Sequence, residues 1–442
     1  MFERSRIEPK DVREKLGEHM LVDGFPLVID LERSRGSFTR DLVTGREYLD
    51  FFSFFASNPI GFNHPGMLEP EIQERLLRAA TVKVANSDKY TTLMAEFVDT
   101  LARTAAPAYL PHYFFVDGGA LAVENALKTA FDWKVRKNLA RGRGERGQKV
   151  LHLERAFHGR SGYTMSLTNT DPVKTAHYPK FAWPRIPCPA IRFPLAAHLA
   201  EVEELERAAI DAAERAFEEN PDDIAAIILE PIQGEGGDNH FRPQLFRELR
   251  RLADAHDALL VYDEVQTGLG LTGRWWAYEH HDVRPDIVCF AKKMQVGGIL
   301  VGRRIDEVPD NVFRKSGRIN STWGGSLVDM VRCTRILEIM VEEKAIENAA
   351  ARGAELVTGL EELESRFAGV TNARGKGLMC AIDLADAAAR DAVVQACFDE
   401  GMIVLKSGTR SLRFRPTLTI DADLVAEGLR RLARALERTR SR

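Results

Sequence analysis

A carboxylate and a lysine follow two successive apolar runs of the chain. Asp263 comes directly after the run 259–262, and Lys292 follows the run 287–290 after one alanine. In a parallel sheet the carboxyl ends of strands open into one ligand crevice, so we expect both side chains there. A nucleophilic lysine and an acid that keeps a ring nitrogen protonated are what pyridoxal phosphate (PLP) chemistry needs. A simple Asp–Lys ion pair is the alternative interpretation of these two residues alone.

A pair of glycines precedes a predicted helix and makes a candidate anion site. The sequence 117–120, Asp-Gly-Gly-Ala, lies between a predicted strand at 112–116 and a predicted helix at 121–135. Free backbone N–H groups at a helix start bind anions such as phosphate, and glycines permit a close approach. A tight strand-to-helix turn without a ligand is the alternative.

A second candidate segment, 156–160, follows the apolar run 150–153. Phe157 is placed to stack on an aromatic ring, and Arg160 offers a two-pronged donor to a carboxylate. Taken singly, a phenylalanine belongs more often to the core and an arginine more often faces water.

Three further patterns favour plainer interpretations. The GxGxxG match at 268–273 lacks a clear glycine-opened helix after it, so a nicotinamide-dependent oxidoreductase is disfavoured. The pair His280-His281 has no metal-ligand spacing around it, so a surface pair is expected rather than a metal site. The basic, glycine-rich stretch 140–147 is expected to be a solvated loop.

Short apolar runs that alternate with helical stretches predict the elements that would carry these residues. Runs at 150–153, 224–229, 259–262 and 287–290 indicate a parallel sheet covered on both faces, which is an α/β fold. Residues 1–50 are predicted to be an extended arm, with a turn at 41–45 between strands. After about residue 310 we expect one long helix at 329–365, strands near 378–383, 403–405 and 412–415, and a closing helix at 423–439.

Length and composition restrict the class of protein. At 442 residues the chain should form two or more packed units, and a net charge of −4 gives no reason to expect nucleic acid or a membrane surface as partner. Five scattered cysteines without CxxC spacing indicate reduced thiols and a cytoplasmic protein. The first residues lack the apolar segment of a signal peptide, and no apolar stretch is long enough to span a bilayer.

The motifs together resemble those of the class III aminotransferases, which are fold-type I PLP enzymes. The resemblance runs from about residue 50 to the last helix and implies a large PLP-binding domain at 81–315. The segments 1–80 and 316–442 would then form an N-terminal arm and a small α/β domain. The motifs that carry the resemblance lie at 118–128, 157–160, 230–235, 263–268, 290–294 and 412–416.

The resemblance implies roles for individual residues around the cofactor. Lys292 would form the Schiff base, with Lys293 as a structural neighbour, and Asp263 would pair with the ring nitrogen. Ala120 stands where the family often has a hydroxyl residue, so only its backbone N–H is available for the phosphate. The other implied cofactor contacts are Gly119, Phe157, Val265, Gln266 and, from the second subunit of a homodimer, Thr322.

Within the family, the segments 156–170, 234–238 and 318–325 are most similar to members that act on lysine, with members that act on 4-aminobutyrate next. The implied reaction moves the ε-amino group of L-lysine to 2-oxoglutarate, giving L-2-aminoadipate 6-semialdehyde and L-glutamate. Alternatives are another ω-aminotransferase, acting on 4-aminobutyrate, ornithine or a diamine, and a PLP enzyme without transamination, such as a racemase or decarboxylase.

Two substrates of different charge would have to share one pocket. We hypothesise that Arg413 binds the α-carboxylate of glutamate and that Glu235 neutralises Arg413 when lysine is bound, since a buried unpaired charge is costly. This pair favours a transaminase with two substrates over a racemase or decarboxylase. Arg160 would hold the distal carboxylate, and Asn320 is the candidate acceptor for the α-ammonium group of lysine.

Overall fold

A computed structural model describes residues 6–440 of the chain and organises them around three β-sheets. The first segment contains short strands, a single left-handed turn and helices. Its elements are α1 (Val12–Gly17), β1 (Phe38–Arg40), β2 (Glu47–Asp50), the left-handed turn α2 (Ser53–Ala56), α3 (Pro70–Thr81) and α4 (Thr92–Thr104).

The middle of the chain alternates strands and helices, as the apolar runs predict. The elements are β3 (His112–Val116), α5 (Gly119–Ala140), β4 (Lys149–Leu153), α6 (Gly162–Leu167), α7 (Pro172–Thr175), β5 (Arg185–Ile186), α8 (Leu195–Glu219), β6 (Ile224–Leu229), α9 (Pro243–Ala255), β7 (Leu259–Asp263), β8 (Ile287–Phe290) and β9 (Gly297–Val301).

The last segment forms a second set of strands packed with long helices. Its elements are α10 (Leu327–Glu342), α11 (Ala345–Arg366), β10 (Thr371–Lys376), β11 (Met379–Asp383), α12 (Ala387–Asp399), β12 (Met402–Ile403), β13 (Leu405–Ser407), β14 (Ser411–Phe414) and α13 (Ala422–Arg440).

The large sheet has the strand order β3-β9-β8-β7-β6-β4-β5. Strand β9 is antiparallel to both of its neighbours, and the other pairings in the sheet are parallel. The predicted α/β fold with a mostly parallel sheet is confirmed. Strand β9 was not predicted, because its glycines at 297 and 298 weaken the apolar pattern. A Cβ on Gly297 would lie 2.5 Å from the carbonyl oxygen of Gly118, so this close strand contact requires glycine.

Helices cover both faces of the large sheet. Successive side chains of each strand point to opposite faces, so a strand such as β7 contributes to both apolar clusters. On β7, Leu260 and Tyr262 join the apolar cluster that includes α9, whereas Leu259 and Val261 join the cluster that includes α5. Every residue of β6, β7 and β8 is buried. Continuous apolar runs, rather than alternating ones, are therefore what these strands require.

Two smaller sheets complete the fold. One has the order β1-β2-β12 and joins the N-terminal segment to the C-terminal segment, and the other has the order β10-β11-β14-β13. The proposed domain boundaries at residues 80 and 315 stay a prediction. The first five and the last two residues of the chain lie outside the described part. Within residues 6–440, no helix is long and apolar enough to cross a membrane.

Several sequence expectations for local structure need correction. The single helix predicted at 329–365 is two helices, separated at Lys344, whose φ is +52°. Both helices bury apolar faces, so the helical spacing of apolar residues continues past Lys344. The turn at Lys344 is therefore visible only in the backbone conformation and not in the sequence pattern. The arm predicted to be extended contains the helix α1, and residue Ile29 within it forms only an isolated bridge to Asp41. Strand β10 was missed because its sequence, TNARGK, is almost entirely polar.

The expectations of turns at 268–273 and of a loop near 140–147 agree with the structure, whereas the surface position expected for the histidine pair is wrong for His281, which is buried. The match at 268–273 forms successive turns and opens no helix. His280 contacts the carbonyl of Thr272, and His281 stacks on Phe246 with ring centroids 3.8 Å apart. The stretch 140–147 is a loop in which Arg143 pairs with Asp222 at 2.6 Å.

Helix α11 packs closely against the turn that joins β10 to β11, and this contact predicts that alanine at residue 353 lowers the stability of the protein. A Cβ on Gly353 would lie 2.1 Å from the carbonyl atoms of Gly377. Gly353→Ala should therefore destabilise the protein by about 2 kcal/mol, although alanine normally favours a helix interior. Urea unfolding should show the lower midpoint. Gly369→Ala is the control, because no atom lies within 4 Å of its Cβ position, and an equal shift there would contradict the explanation.

Candidate active site

A cavity of about 570 Å³ lies at the carboxyl edge of the large sheet, beside the start of α5. The strands β6, β7 and β8 each end at it. It is lined by Ser57, Gly118, Gly119, Ala120, Phe157, His158, Gly159, Arg160, Glu230, Glu235, Asp263, Val265, Gln266, Ala291, Lys292 and Gln295.

Lys292 lies in this cavity just beyond β8, in a left-handed conformation with φ +49°. The pKa of its amine is lowered from 10.5 to about 8, mainly by burial and then by the positive charge of Arg413, against the opposing effect of Asp263. No described residue forms a hydrogen bond to its Nζ. A desolvated, unpaired amine of this kind is ready to act as a nucleophile.

The adjacent Lys293 has a different environment, although it is also buried. Its Nζ donates to the carbonyl of Gln266 at 2.7 Å and to the carbonyl of Ala56 at 3.2 Å. Burial and the charge of Lys292 hold its pKa well below the usual range. Lys293 therefore ties the left-handed turn α2 to the loop after β7, and Lys292 alone points into the cavity.

Asp263 is the last residue of β7 and is 4% exposed. Its Oδ2 lies 2.7 Å from Nδ1 of His158, and its Oδ1 accepts the backbone N–H of Val265 at 3.1 Å. These two contacts hold both carboxylate oxygens of Asp263 in place. His158 thus orients the carboxylate, a role that the sequence analysis did not assign to it.

Glu230 is a further cavity residue that the sequence analysis left without a role. Burial raises its pKa to about 7. Its two oxygens accept backbone N–H groups of Phe157 and Gly234, both at 3.0 Å. Glu230 directly follows β6 just as Asp263 ends β7, so the rule that points to Asp263 could also have found it.

The start of α5 also lines the cavity, through Gly118, Gly119 and Ala120. Gly118, with φ +89°, precedes the helix, and the first N–H groups of a helix have no partner within it. A Cβ on Gly119 would lie 2.7 Å from Cγ1 of Val265. A Cβ on Gly159 would lie 2.6 Å from the side chain of Ala120. The glycines therefore bring the helix start close against the neighbouring segments.

Gln266 is held at the side of the cavity next to a buried ion pair. Its Oε1 accepts two long hydrogen bonds of 3.4 Å from Arg415, whose guanidinium also pairs with Asp238. A Cβ on Gly234 would lie 2.5 Å from the same Oε1. The position of this side chain is therefore fixed by its surroundings.

Glu235 connects two cations at the cavity wall. Its Oε2 lies 2.9 Å from Nη2 of Arg413, and its Oε1 lies 2.5 Å from Nζ of Lys174. Arg413 is 2% exposed, and its Nε and Nη1 have no hydrogen-bond partner among the described residues. Two donors of a buried guanidinium are thus available for another acceptor.

The remaining sequence-predicted residues lie at different distances from the cavity. Arg160 is exposed and lines its rim. Asn320 and Thr322 are exposed and do not line it: Oδ1 of Asn320 accepts from the N–H of Ser321, and the carbonyl of Thr322 accepts from Ser87. The other predicted residues line the cavity, except Arg413, which lies behind it and contacts the lining residue Glu235.

Comparison with known proteins defines the class. The family model described as aminotransferase class-III matches residues 21–436. The chain therefore belongs to the class III aminotransferases, and as a member of that family it uses PLP.

Individual relatives place the chain within the family. An L-lysine-epsilon aminotransferase of Amycolatopsis lactamdurans is 53% identical over 97% of this chain and 96% of its own length. The structure of a lysine aminotransferase from M. tuberculosis superimposes with a TM-score of 0.96 at 51% identity, covering 98% of this chain and all of that one. Human mitochondrial 4-aminobutyrate aminotransferase is 30% identical over 88% of this chain and 80% of its own length.

The residues of the cavity fit the cofactor. Lys292 supplies an unpaired amine, and Asp263 supplies a carboxylate oriented by His158. The N–H groups at Gly119 and Ala120 suit a phosphate, and a side chain larger than hydrogen at residue 119 would collide with Val265. We assign the Schiff base to Lys292 and the contact with the ring nitrogen to Asp263 as proposals that rest on this arrangement.

The lowered pKa of Lys292 predicts how the cofactor-free protein takes up PLP. Only the neutral amine attacks an aldehyde, so the rate should rise with pH and level off above about 8. Arg413→Met should move this midpoint to higher pH, because the charge of Arg413 lowers the pKa of Lys292. Stopped-flow absorbance would measure both profiles.

Lys406→Met is the control for this experiment, since it removes an exposed positive charge from the same sheet as Arg413. Its midpoint should match that of the unmodified protein. A midpoint near the ordinary lysine value of 10.5 in the unmodified protein would contradict the assignment of the reacting amine.

Proposed function

We propose that this enzyme transfers the ε-amino group of L-lysine to 2-oxoglutarate, giving L-2-aminoadipate 6-semialdehyde and L-glutamate. The observation that carries the proposal is the Glu235–Arg413 pair at the wall of a cavity that contains Lys292. The 53% identity with lysine-epsilon aminotransferases supports lysine over 4-aminobutyrate, for which the relatives are about 30% identical.

The Glu235–Arg413 pair can accommodate two amino donors, lysine and glutamate, that differ in charge at the reacting carbon. The reacting carbon of lysine carries no carboxylate, whereas that of glutamate does. With lysine bound, Glu235 stays on Arg413 and keeps the buried guanidinium neutralised. With glutamate bound, Glu235 moves aside and frees Nη2 of Arg413, so the α-carboxylate forms a two-pronged contact with Nη2 and one of the two unpartnered nitrogens, Nη1 or Nε.

Proton transfer is the part of the chemistry that falls to Lys292. Bound PLP supplies an electron-withdrawing ring that stabilises negative charge at the substrate carbon. The Nζ of Lys292, with a pKa of about 8, would take the proton from that carbon and deliver it to the C4′ carbon of the cofactor, and the reverse transfer would serve the second half-reaction. Asp263, oriented by His158, keeps the ring nitrogen protonated throughout.

Substrate positioning completes the proposal. Arg160 at the cavity rim holds the distal carboxylate of either donor. Asn320 and Thr322 are exposed on this chain, and we propose that a second copy brings them to the cavity, Thr322 for the phosphate and Asn320 for the α-ammonium group of lysine. The enzyme would then be a homodimer with shared sites. Five buried cysteines with pKa values raised by burial support a cytoplasmic protein with reduced thiols.

Product identification tests the reaction directly. The PLP-loaded enzyme with L-lysine and 2-oxoglutarate should yield glutamate and 2-aminoadipate 6-semialdehyde, both measurable by mass spectrometry. 4-Aminobutyrate should give far less glutamate under the same conditions. Lys292→Ala should form no product, because the amine that moves the proton is absent. Equal turnover of 4-aminobutyrate would refute the choice of lysine.

Glu235→Gln tests the exchange of partners at Arg413. The glutamate half-reaction should persist, because Arg413 is free for the carboxylate. The lysine half-reaction should lose roughly tenfold in efficiency, because the guanidinium is no longer neutralised. Each is followed by the absorbance change on mixing the PLP-loaded enzyme with one amino donor. Glu154→Gln, an exposed residue just past β4, serves as the matched control, and an unchanged balance in Glu235→Gln would disprove the switch.

A further inference from the structure

We propose that Lys174 is a positioning residue that receives the carboxylate of Glu235 when Glu235 leaves Arg413. Lys174 would thereby favour the substrates that carry a carboxylate on the reacting carbon. The inference rests on the proposed exchange of partners and adds a third residue to it.

The geometry places Glu235 between the two cations. One carboxylate oxygen faces Lys174 Nζ at 2.5 Å, and the other faces Arg413 Nη2 at 2.9 Å. The backbone of Glu235 is fixed separately, because its carbonyl accepts the N–H of Gly408 at 2.9 Å. A rotation of the side chain can therefore break the contact with Arg413 while the loop stays in place.

The two cations differ in their access to water. The side chain of Arg413 is 2% exposed, that of Lys174 is 25% exposed and that of Glu235 is 27% exposed. Arg413 thus marks the inner position of the carboxylate and Lys174 the outer one. Lys174 is fixed on α7, a single turn whose first N–H group is capped by Asp171, and its Nζ lies 5.6 Å from the ring centroid of Phe157.

The charges decide which state Lys174 favours. When Glu235 faces inward it has two cationic partners, so the loss of Lys174 leaves it with Arg413. When Glu235 has moved aside, Lys174 is its remaining partner, and the loss of Lys174 leaves the carboxylate unpaired at a partly desolvated position. Removing Lys174 therefore costs more in the outward state, which is the state that glutamate and 2-oxoglutarate need.

Lys174→Met tests the inference in the PLP-loaded enzyme. The efficiency of the glutamate half-reaction should fall about fivefold, as expected for one partly exposed ion pair, and the lysine half-reaction should be unchanged. Lys174→Arg should restore the glutamate half-reaction, because it keeps the charge. Lys128→Met, an exposed lysine on α5, controls for the loss of one positive charge.

Equilibrium binding gives a readout that does not depend on turnover. Glutarate carries two carboxylates and should require Arg413, whereas pentanoate carries one and should bind through Arg160. Calorimetric titration of Lys174→Met should show a weaker affinity for glutarate, by about fivefold, and an unchanged affinity for pentanoate. Equal losses for both would mean that Lys174 contacts the substrate directly, and this would overturn the inference.

A double variant shows whether Lys174 acts through Glu235. In a Glu235→Gln background, Lys174→Met should have no further effect on the glutamate half-reaction, because the carboxylate that Lys174 receives is absent. A full additional loss would overturn the inference. A different result would refute the proposed lysine activity itself: the unmodified enzyme would react with glutamate but not with lysine.

Discussion

The carboxyl edge of the central strands is the constraint on which the site depends. Glu230, Asp263 and Lys292 follow β6, β7 and β8, three adjacent parallel strands of one buried sheet. The sheet register therefore fixes the spacing of two carboxylates and one amine without any contribution from flexible loops. The same burial raises the pKa of Glu230 and lowers that of Lys292, so both lie closer to neutrality than usual. Fold and reactivity thus share one physical cause, the removal of these groups from water.

Buried arginines join the C-terminal sheet to this edge. Arg374 donates to the carbonyls of Gly237 and Asp238 and pairs with Asp383, while Arg415 pairs with Asp238. Arg413 extends from the same sheet to Glu235. Leaving any one of these charges unpaired in the interior would be costly, so the two parts of the molecule are held in register by charge as well as by apolar packing. The substrate selection that we propose for Arg413 would therefore rest on a rigid support.

The sequence predicted the central strands β4, β6, β7 and β8 of the large sheet well, because they are buried on both faces and are continuous apolar runs. It also identified Asp263 and Lys292, since each follows such a run. It failed where backbone conformation or polar strands decide the structure, as at Lys344, whose positive φ interrupts a continuous helical pattern, and in β10. Roles taken from the family resemblance stay predictions. His158 and Lys174 were missed because their partners, Asp263 and Glu235, are 105 and 61 residues away in the sequence.

The two adjacent lysines after β8 provide no redundancy. The amine of Lys293 already binds two carbonyl groups, one of them in the turn α2, so it is a structural tether rather than a spare nucleophile. Deleting one residue between β8 and this point would put Lys293 at the cavity position and leave the tether position without a lysine. Inserting one residue would put Lys292 at the tether position and leave the cavity position without a lysine. The length of this connection is therefore as restricted as the identity of the residue, and alignment by composition alone would overlook such a change.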